Sequence, residues 1–570
     1  MTRSLFVARL QGTQAEMGAQ HGALVADDAR RLLAFYRTMP ERQLAGGRPA
    51  LEKLAVRRVA AAWQARLARE RPPELVARAE AFMDAAGVPA RDRRAALQTL
   101  ATMDSLQNCV SLVARLGLGP FGAPFAARAT VAAAPACSTL IAWGRTTADG
   151  ELVFGRNFDF PGVGVWDAAP AFVTCVPDRG QRYGFFTTRG ADAPVVTVVN
   201  EAGLVLAPHT RWHRDITWGG AMIVDVVHEI ARKAETLADA IAIARARPAS
   251  SSWGIAVGSA RERAGLVLEL AGPHVEVVRP PPGAEYLICN NRYRTPAMQA
   301  RELAASAAWP IHSDRREQRL RQLVDGRDAP LAPRDVARFL GDRRDPQAPA
   351  RVRRLGGILA QPTNVHCVVV QPAARRAWVG ADAAPVCEGT WVEVAWTWDD
   401  FTLTEHPDFV APHDAATRHL HAAVRAFEAD RDVPTARAAL ERAVAADPDD
   451  PSLRLGAAWL ALESGAPDRA VIHVHAGLAT ETEAYRRGQL LLWGAYASDD
   501  PALARRWLGE LHQLSGHGVD ELQRQASRLF HDGTTGRARA TTRSMSSRLL
   551  RRRSAHRRRI HANLVLVDAY

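Results

Sequence analysis

Strand-forming residues are confined to one stretch of this chain, and that confinement limits the possible folds more than any other feature. From Ser138 to Thr397, short β-branched and aromatic runs alternate with Gly-containing turns: Ser138–Trp143, Leu152–Phe154, Ala171–Val176, Val195–Val199, Leu204–Ala207, Ile255–Val257, Gly265–Leu270, Val275–Val278, Val365–Gln371, Ala377–Val379 and Thr390–Thr397. Two helical stretches interrupt them, Met222–Ala234 and Leu237–Ala246, the second stopped by Arg247-Pro248. On either side, up to about residue 115 and again from about Pro412, Ala/Leu/Arg-rich segments such as Arg57–Leu67 carry apolar residues at helical spacing. A chain of 570 residues needs more than one core. The expected order is a helical N-terminal segment, 1–136, ending in the Gly/Pro/Ala-rich stretch 117–136; a layered α+β core, 137–405; an all-α domain, 412–530; and a tail, 531–570.

The all-α region has a countable period. Ala436-x-x-x-Leu440, Ala470-x-x-x-Val474 and Ala504-x-x-x-Leu508 recur every 34 residues, the spacing of tetratricopeptide repeats. Helix-starting chemistry precedes each in Asp432-Val-Pro434, Ala466-Pro-Asp468 and Asp499-Asp-Pro501, and Asp447-Pro-Asp-Asp-Pro451 adds a further break. An Ala-rich bundle with fortuitous spacing is the competing reading. Such repeats imply a protein partner, or a stabilising appendage.

Composition excludes several classes. The formal net charge of +12 invites a nucleic-acid reading, but ten arginines between Gly533 and Ile560, with no acid among them, account for ten of those charges. The body is nearly neutral, nucleic acid is not the expected partner, and the tail reads as a solvated, disordered segment. Lysine occurs only at Lys53 and Lys233, neither in a Gly-Lys-Ser/Thr sequence, which excludes a standard P-loop. The six cysteines, 109, 137, 175, 289, 367 and 387, form no CxxC and no disulfide framework, and His228-Glu229 is not followed by a second His at helical spacing. A reducing cytoplasm and a metal-free reaction are expected. No apolar run is long enough to span a bilayer, and Arg9 breaks the only apolar stretch near the N-terminus, so neither membrane insertion nor signal-directed export is expected.

The segment Ala136–Phe160 carries the chemistry. Cys137 opens a strand, Ala148-Asp-Gly150 reads as a tight turn, and the return strand ends in Gly155-Arg-Asn-Phe-Asp159. Such a hairpin brings Arg156 and Asp159 back beside Cys137. A guanidinium there favours thiolate over thiol, and a carboxylate can orient an amino group. Cys109, Cys175, Cys367 and Cys387 have no such company and read as buried small hydrophobes. Glu269, in Leu-Val-Leu-Glu-Leu, reads as facing solvent.

These residues resemble a known family. Cys137-Ser-Thr, Asp149-Gly150 and Gly155-Arg-Asn-Phe-Asp159 are similar to the N-terminal nucleophile hydrolases of the choloylglycine hydrolase and penicillin V acylase kind, most of all the C45-type autoproteolytic acyl-coenzyme A:6-aminopenicillanic acid acyltransferase-like proteins. The resemblance spans roughly residues 5 to 400 and takes in Gly12-Thr-Gln-Ala-Glu-Met-Gly18, His21-Gly22, Asn200-Glu-Ala-Gly-Leu204 and Cys289-Asn-Asn-Arg-Tyr293. It implies a four-layer αββα sandwich made as a precursor that cuts itself between Ala136 and Cys137. Cys137 would then hold nucleophile and base together, since a free α-amine has a reference pKa of ~7.7–8.0. An acyl-enzyme on Cys137 passes to water or an amine. The resemblance further implies that Arg156 stands beside the nucleophile, that Asp159 holds the α-amine, and that Asn290, with Asn291 an equal candidate, donates to the oxyanion. His209 or Thr210 falls where relatives contact the intermediate. As residues alone, Asn290 and Asn291 equally suit a turn before Pro296, and His209 an interior histidine. The implied substrate is a small amide or acyl thioester, an acyl-CoA included, with no bound cofactor. The reading from another class is an inactive layered scaffold acting through its repeats.

Overall fold

The computed structural model describes residues 4–44, 50–93, 101, 104, 107, 108, 111, 136–215, 217–304, 308–430 and 432–531. Contacts divide the chain into two units: Met1–Leu303, Arg316–Asp342 and Thr363–Pro412 form the first, and Ala304–Arg315, Arg343–Pro362 and His413–Tyr570 the second. Cys109, the Gly/Pro-rich stretch before Ala136 and the Arg-rich tail after His531 lie outside the described residues. No helix among the described residues is long and apolar enough to cross a membrane.

The first unit opens with a strand where a helix was expected. In β1 (Phe6–Gly12) the buried Ala8 and Leu10 alternate with more exposed neighbours, a period of two that a helical reading overlooks. The helices α1 (Gln14–Leu24), α2 (Ala26–Leu44), α3 (Ala50–Arg69) and α4 (Pro73–Ala85) follow. The Gly12-to-Gly22 pattern has a local cause. Thr13 caps α1 in a capping box with Glu16, the Glu16 N–H donating to Thr13 Oγ1 at 3.2 Å and the Thr13 N–H to Glu16 Oε2 at 2.7 Å. Gly18 and Gly22 then let α1 touch α4 backbone to backbone, because a Cβ at either would sit 2.2 Å from the carbonyl oxygen of Arg78 or Phe82.

Two sheets follow. One runs β1, β4 (Pro170–Pro177), β5 (Tyr183–Thr188), β6 (Thr197–Asn200), β7 (Leu204–Thr210), β8 (Ser252–Ser259), β9 (Ala264–Ala271) and β10 (His274–Val278); β1 pairs with β4 in parallel and the other pairs are antiparallel. The other runs β11 (Tyr286–Cys289), β2 (Ser138–Ala142), β3 (Val153–Asp159), β14 (Asn364–Gln371), β15 (Arg376–Gly380), β16 (Trp391–Trp396) and β17 (Phe401–His406). Their inner faces share one core, in which Ile141, Phe154 and Val368 of the second sheet meet Phe172, Phe186 and Val205 of the first. The outer face of the first sheet is covered by α5 (Ile223–Lys233) and α6 (Leu237–Ala246), which bury Val227, Ile230 and Leu237 on Leu206, Val257 and Leu268. The outer face of the second receives α8 (Pro333–Leu340), where a Cβ on Gly155 would come 2.3 Å from Val336 Cγ1. With both faces covered, β8 and β14 are buried at every residue, which is why these runs show no polar alternation.

The second unit is helical. It contains α9 (Ala415–Arg425), α10 (Val433–Ala446), α11 (Pro451–Glu463), α12 (Pro467–Thr480), α13 (Ala484–Ala497), α14 (Pro501–Gln513) and α15 (Val519–His531), with a hairpin of β12 (Arg344–Asp345) and β13 (Ala348–Val352). Each 34-residue match is buried: Ala436, Ala470 and Ala504, with Leu440, Val474 and Leu508 one turn on. The Asp-Pro punctuation acts as caps, Asp432, Asp450 and Asp500 accepting from the N–H groups of Thr435, Ser452 and Ala502. That two segments from within the core belong to this unit is a non-local fact without a signal in the local pattern.

The α1–α4 crossing makes a direct prediction. Gly22→Ala forces a Cβ into a backbone carbonyl and should lower stability by about 1–3 kcal/mol. Gly509→Ala, on α14 with nothing within 4 Å, should be neutral or stabilising by ~0.5–1 kcal/mol. Urea midpoints of the two variants against the parent chain check both.

Candidate active site

Pairing between β2 and β3 sets the site. Ser138 faces Asn157, Thr139 faces Arg156, and the Ala136 N–H donates to the Asp159 carbonyl at 3.2 Å. The connection is longer than the tight turn expected at Ala148–Gly150: it is a loop from Trp143 to Leu152 that includes a 3-10 turn at Gly144–Thr146, with Gly150 at φ +74°. The register brings Arg156 and Asp159 to Cys137 all the same. Strand alternation puts the side chains of Cys137, Thr139 and Arg156 on the face toward the other sheet, and those of Ser138 and Asn157 on the opposite face.

On the inner face, Arg156 Nη2 lies 3.5 Å from Cys137 Sγ and donates to the Pro208 carbonyl at 2.6 Å. His209, next on β7, pairs its Nε2 with Thr139 Oγ1 at 2.8 Å. Burial first, then the guanidiniums of Arg156, Arg211 and Arg316, hold its pKa well below the usual histidine value, so it is a neutral, packed imidazole. Thr210 supplies a backbone carbonyl, accepting from Asn291 Nδ2 at 3.0 Å.

The Cys137 backbone has its own partners. Its N–H donates to Asn291 Oδ1 at 2.9 Å, and its carbonyl accepts from Arg316 Nη1 at 2.6 Å. Arg316 Nη2 also donates to Asn291 Oδ1, at 2.8 Å. Two donors on one side and a carbonyl on the other fix the Asn291 amide: its oxygen faces Cys137 and its NH2 faces Thr210. Asn290 is engaged elsewhere, its Nδ2 donating to Glu317 Oε2 at 2.9 Å and its Oδ1 accepting from the Arg292 N–H. Of the two asparagines, it is Asn291 that the turn after β11 sets against Cys137, and it does so as an acceptor for the Cys137 nitrogen, where the expectation was an oxyanion donor.

Asp159 is fully buried. Oδ1 accepts from Asn364 Nδ2 at 2.9 Å, and Oδ2 has no protein partner. Burial pushes its pKa up to about 7 against the opposing pull of Arg316, Asn364 and Arg156. Burial also raises the Cys137 thiol, with Arg156 pulling the other way. Arg316, Asn364 and His366 entered no motif. Arg316 sits in the Arg-rich helix α7 (Ala308–Asp325), and Asn364 and His366 open a strand whose bulge lies between them. Only their positions in space single them out.

Glu269 corrects the reading of a solvated residue. It is completely buried on β9, its Oε1 accepting from Arg211 Nη1 at 2.5 Å and its Oε2 from Thr295 Oγ1 at 2.7 Å. Gly254 makes room, since a Cβ there would sit 2.5 Å from the Arg211 guanidinium. A covered sheet face admits a carboxylate only when a cation and donors meet it. Cys175, Cys289, Cys367 and Cys387 are buried and unbridged.

Cys137 and Arg156 form part of the wall of a cavity of about 180 Å³ lined otherwise mainly by apolar groups, including Leu33, Tyr36, Phe82, Phe158, Trp166 and Trp253. Leu33, Tyr36 and Phe82 come from upstream of Ala136.

The tetratricopeptide repeat family matches residues 427–492, from the start of the second unit's repeats into α13. Among solved structures, the Caenorhabditis elegans N-acylethanolamine-hydrolyzing acid amidase ortholog aligns at 16% identity with a TM-score of 0.30, covering 41% of this chain and 93% of that one. No curated protein matches.

The Asp159 environment predicts a pH signature. Its native pKa lies above the ordinary 3.8, so from about pH 4 to 7 the folded chain keeps a proton that the unfolded chain releases, and stability falls as pH rises through that window. The loss is at most ~4 kcal/mol. Asp159→Asn should therefore be more stable than the parent at pH 8, with the gap narrowing at pH 5, as read from urea midpoints at the two pH values.

Proposed function

We propose that this chain is a self-processing cysteine amidohydrolase or acyltransferase of the N-terminal nucleophile type, acting on amides or thioesters of an apolar acyl group. One observation carries the reading: Cys137 Sγ lies on the wall of a mainly apolar cavity with Arg156 Nη2 3.5 Å away, while Asn291 and Arg316 hold the same residue's backbone.

The chemistry runs in two stages. In the precursor, Cys137 Sγ attacks the Ala136 carbonyl, the Ala136–Cys137 C–N bond breaks, and water hydrolyses the resulting thioester to leave a carboxylate on Ala136 and a free amine on Cys137. Burial holds the thiol up while that nitrogen is still acylated. Once free, the amine takes the thiol proton, Asn291 Oδ1 and the open Asp159 oxygen orient it, and Arg156 favours the thiolate. Attack on a substrate carbonyl expels the amine, which leaves with a proton, or the CoA thiol. The acyl-enzyme is then consumed by water or by an acceptor amine. The apolar cavity takes the acyl chain, and Arg156 is the one cation on its wall among the described residues. The helical repeats support the second role expected of the chain, contact with a protein.

Intact mass tests processing. The purified chain should appear as Met1–Ala136 and Cys137–Tyr570, and Cys137→Ala as one uncut chain. A parent chain as uncut as that variant would favour the inactive scaffold. Substrate preference provides a second check: aminocoumarin amides of apolar acids should acylate Cys137, detected as a mass increase on its peptide, and amides of dicarboxylic acids of similar length should not.

A further inference from the structure

The turns that lead into α11 and α13 carry acids one repeat apart, Asp447 and Glu481, and the caps Asp414, Asp450 and Glu483 stand beside them at the starts of α9, α11 and α13. Within the second unit these acids are met by arginines of 304–315 and 343–362. Arg354 donates to Asp414 at 2.5 Å, Asp447 at 2.6 Å and Asp450 at 3.1 Å. Arg353 forks onto Glu481 at 2.7 and 3.3 Å, both side chains about 1% exposed. Arg315 lies 3.3 Å from Glu483, and Asp345 reverses the pattern by accepting from Arg486 at 3.0 Å. The Arg353–Glu481 pair is desolvated and forked, whereas Asp414 and Asp447 are partly exposed, and a buried pair of this kind is weak evidence for added stability. Arg315 is bonded to Arg316, and Pro362 is followed by Thr363 and Asn364.

We propose that the acidic turns of the repeats act on the Cys137 site in cis, clamping the two segments that run directly into Arg316 and Asn364 and thereby fixing the side chains that hold the Cys137 backbone and Asp159. This face of the repeats is thus spoken for by the chain's own arginines, and its role is positioning. The inference rests on Cys137 being the nucleophile.

The test uses the full chain and the rate at which iodoacetamide alkylates Cys137, read by peptide mass across pH 5–9. Among the described residues, the groups facing the Cys137 thiol are Arg156 and Asp159, with His209 beside its backbone, and those facing Asp159 are Arg156, Arg316, Asn364 and the Cys137 and Cys367 thiols. Glu481→Gln leaves Arg353 without its fork, and the half-buried Arg351→Ala removes only the donors to the Thr480 carbonyl and Thr482 Oγ1. Both should move the alkylation midpoint, Glu481→Gln by about half a pH unit, roughly threefold in rate at neutral pH. Arg353→Gln combined with Glu481→Gln, which leaves no unpaired charge and no clamp, should stay shifted like Glu481→Gln; a double variant restored to the parent profile would trace the single variant's effect to the unpaired arginine and overturn the inference. Unchanged profiles in both single variants overturn the inference, and if Glu481→Gln does not fold, Arg351→Ala decides alone. A parent chain whose Cys137 reacts no faster than Cys175 would instead overturn the nucleophile assignment.

Discussion

The buried guanidinium of Arg156 is the charge that every titratable group around Cys137 must accommodate. It is 1% exposed, and its Nε and Nη1 have no protein partner. A cation sealed in this way is costly, and the neighbouring groups compensate for it. It pulls the Cys137 thiol and the Asp159 carboxyl toward their charged forms, against burial, and it adds to the burial that holds His209 well below the usual histidine value and takes His366 down to about 3. The Pro208 carbonyl and the Phe158 ring, 5.2 Å from the guanidinium carbon, are its remaining company. Burial, with Arg156 second, thus keeps these two imidazoles neutral near neutral pH. On the reading proposed above, the base for the sulfur is the Cys137 nitrogen once processing frees it.

Strand alternation divides the labour. The sulfur and Arg156 lie on the face toward the first sheet, and the Cys137 backbone is gripped by Arg316, which also binds Ser138 Oγ at 2.8 Å on the other face. One residue can therefore present its sulfur to a cavity while its main chain is held by unrelated contacts. Arg156 acts on both the thiol and the carboxyl, and Arg316 adds its pull on the carboxyl.

How much of this was legible depends on how local the cause is. The Cys137–Asp159 register was readable because a hairpin is defined by its own sequence, although the loop proved longer than the Ala148–Gly150 turn. The 34-residue period was readable because Ala436, Ala470 and Ala504 all fill the same kind of interhelical space. Asn290 and Asn291 could not be separated, since chemically identical neighbours differ only in which way the turn points them. Arg316 is one of several arginines on α7, and nothing in helical spacing tells which of them reaches Cys137. Glu269 looked solvated because a strand pattern reports alternation and not what covers the sheet. Phe6–Gly12 reads as helical in isolation because what makes it a strand is its distant partner β4.

The placement of β1 has a consequence for how the molecule can be handled. That strand belongs to the part upstream of Ala136, yet it closes one side of the eight-stranded sheet by pairing with β4 from Phe6↔Ala171 to Gly12↔Pro177. Taken away, it would leave β4 with a row of unanswered amides and carbonyls on an apolar ribbon, an invitation to pair with another molecule. A recombinant product begun at Cys137 would start life with that exposed seam, so the upstream piece guards the solubility of the downstream one.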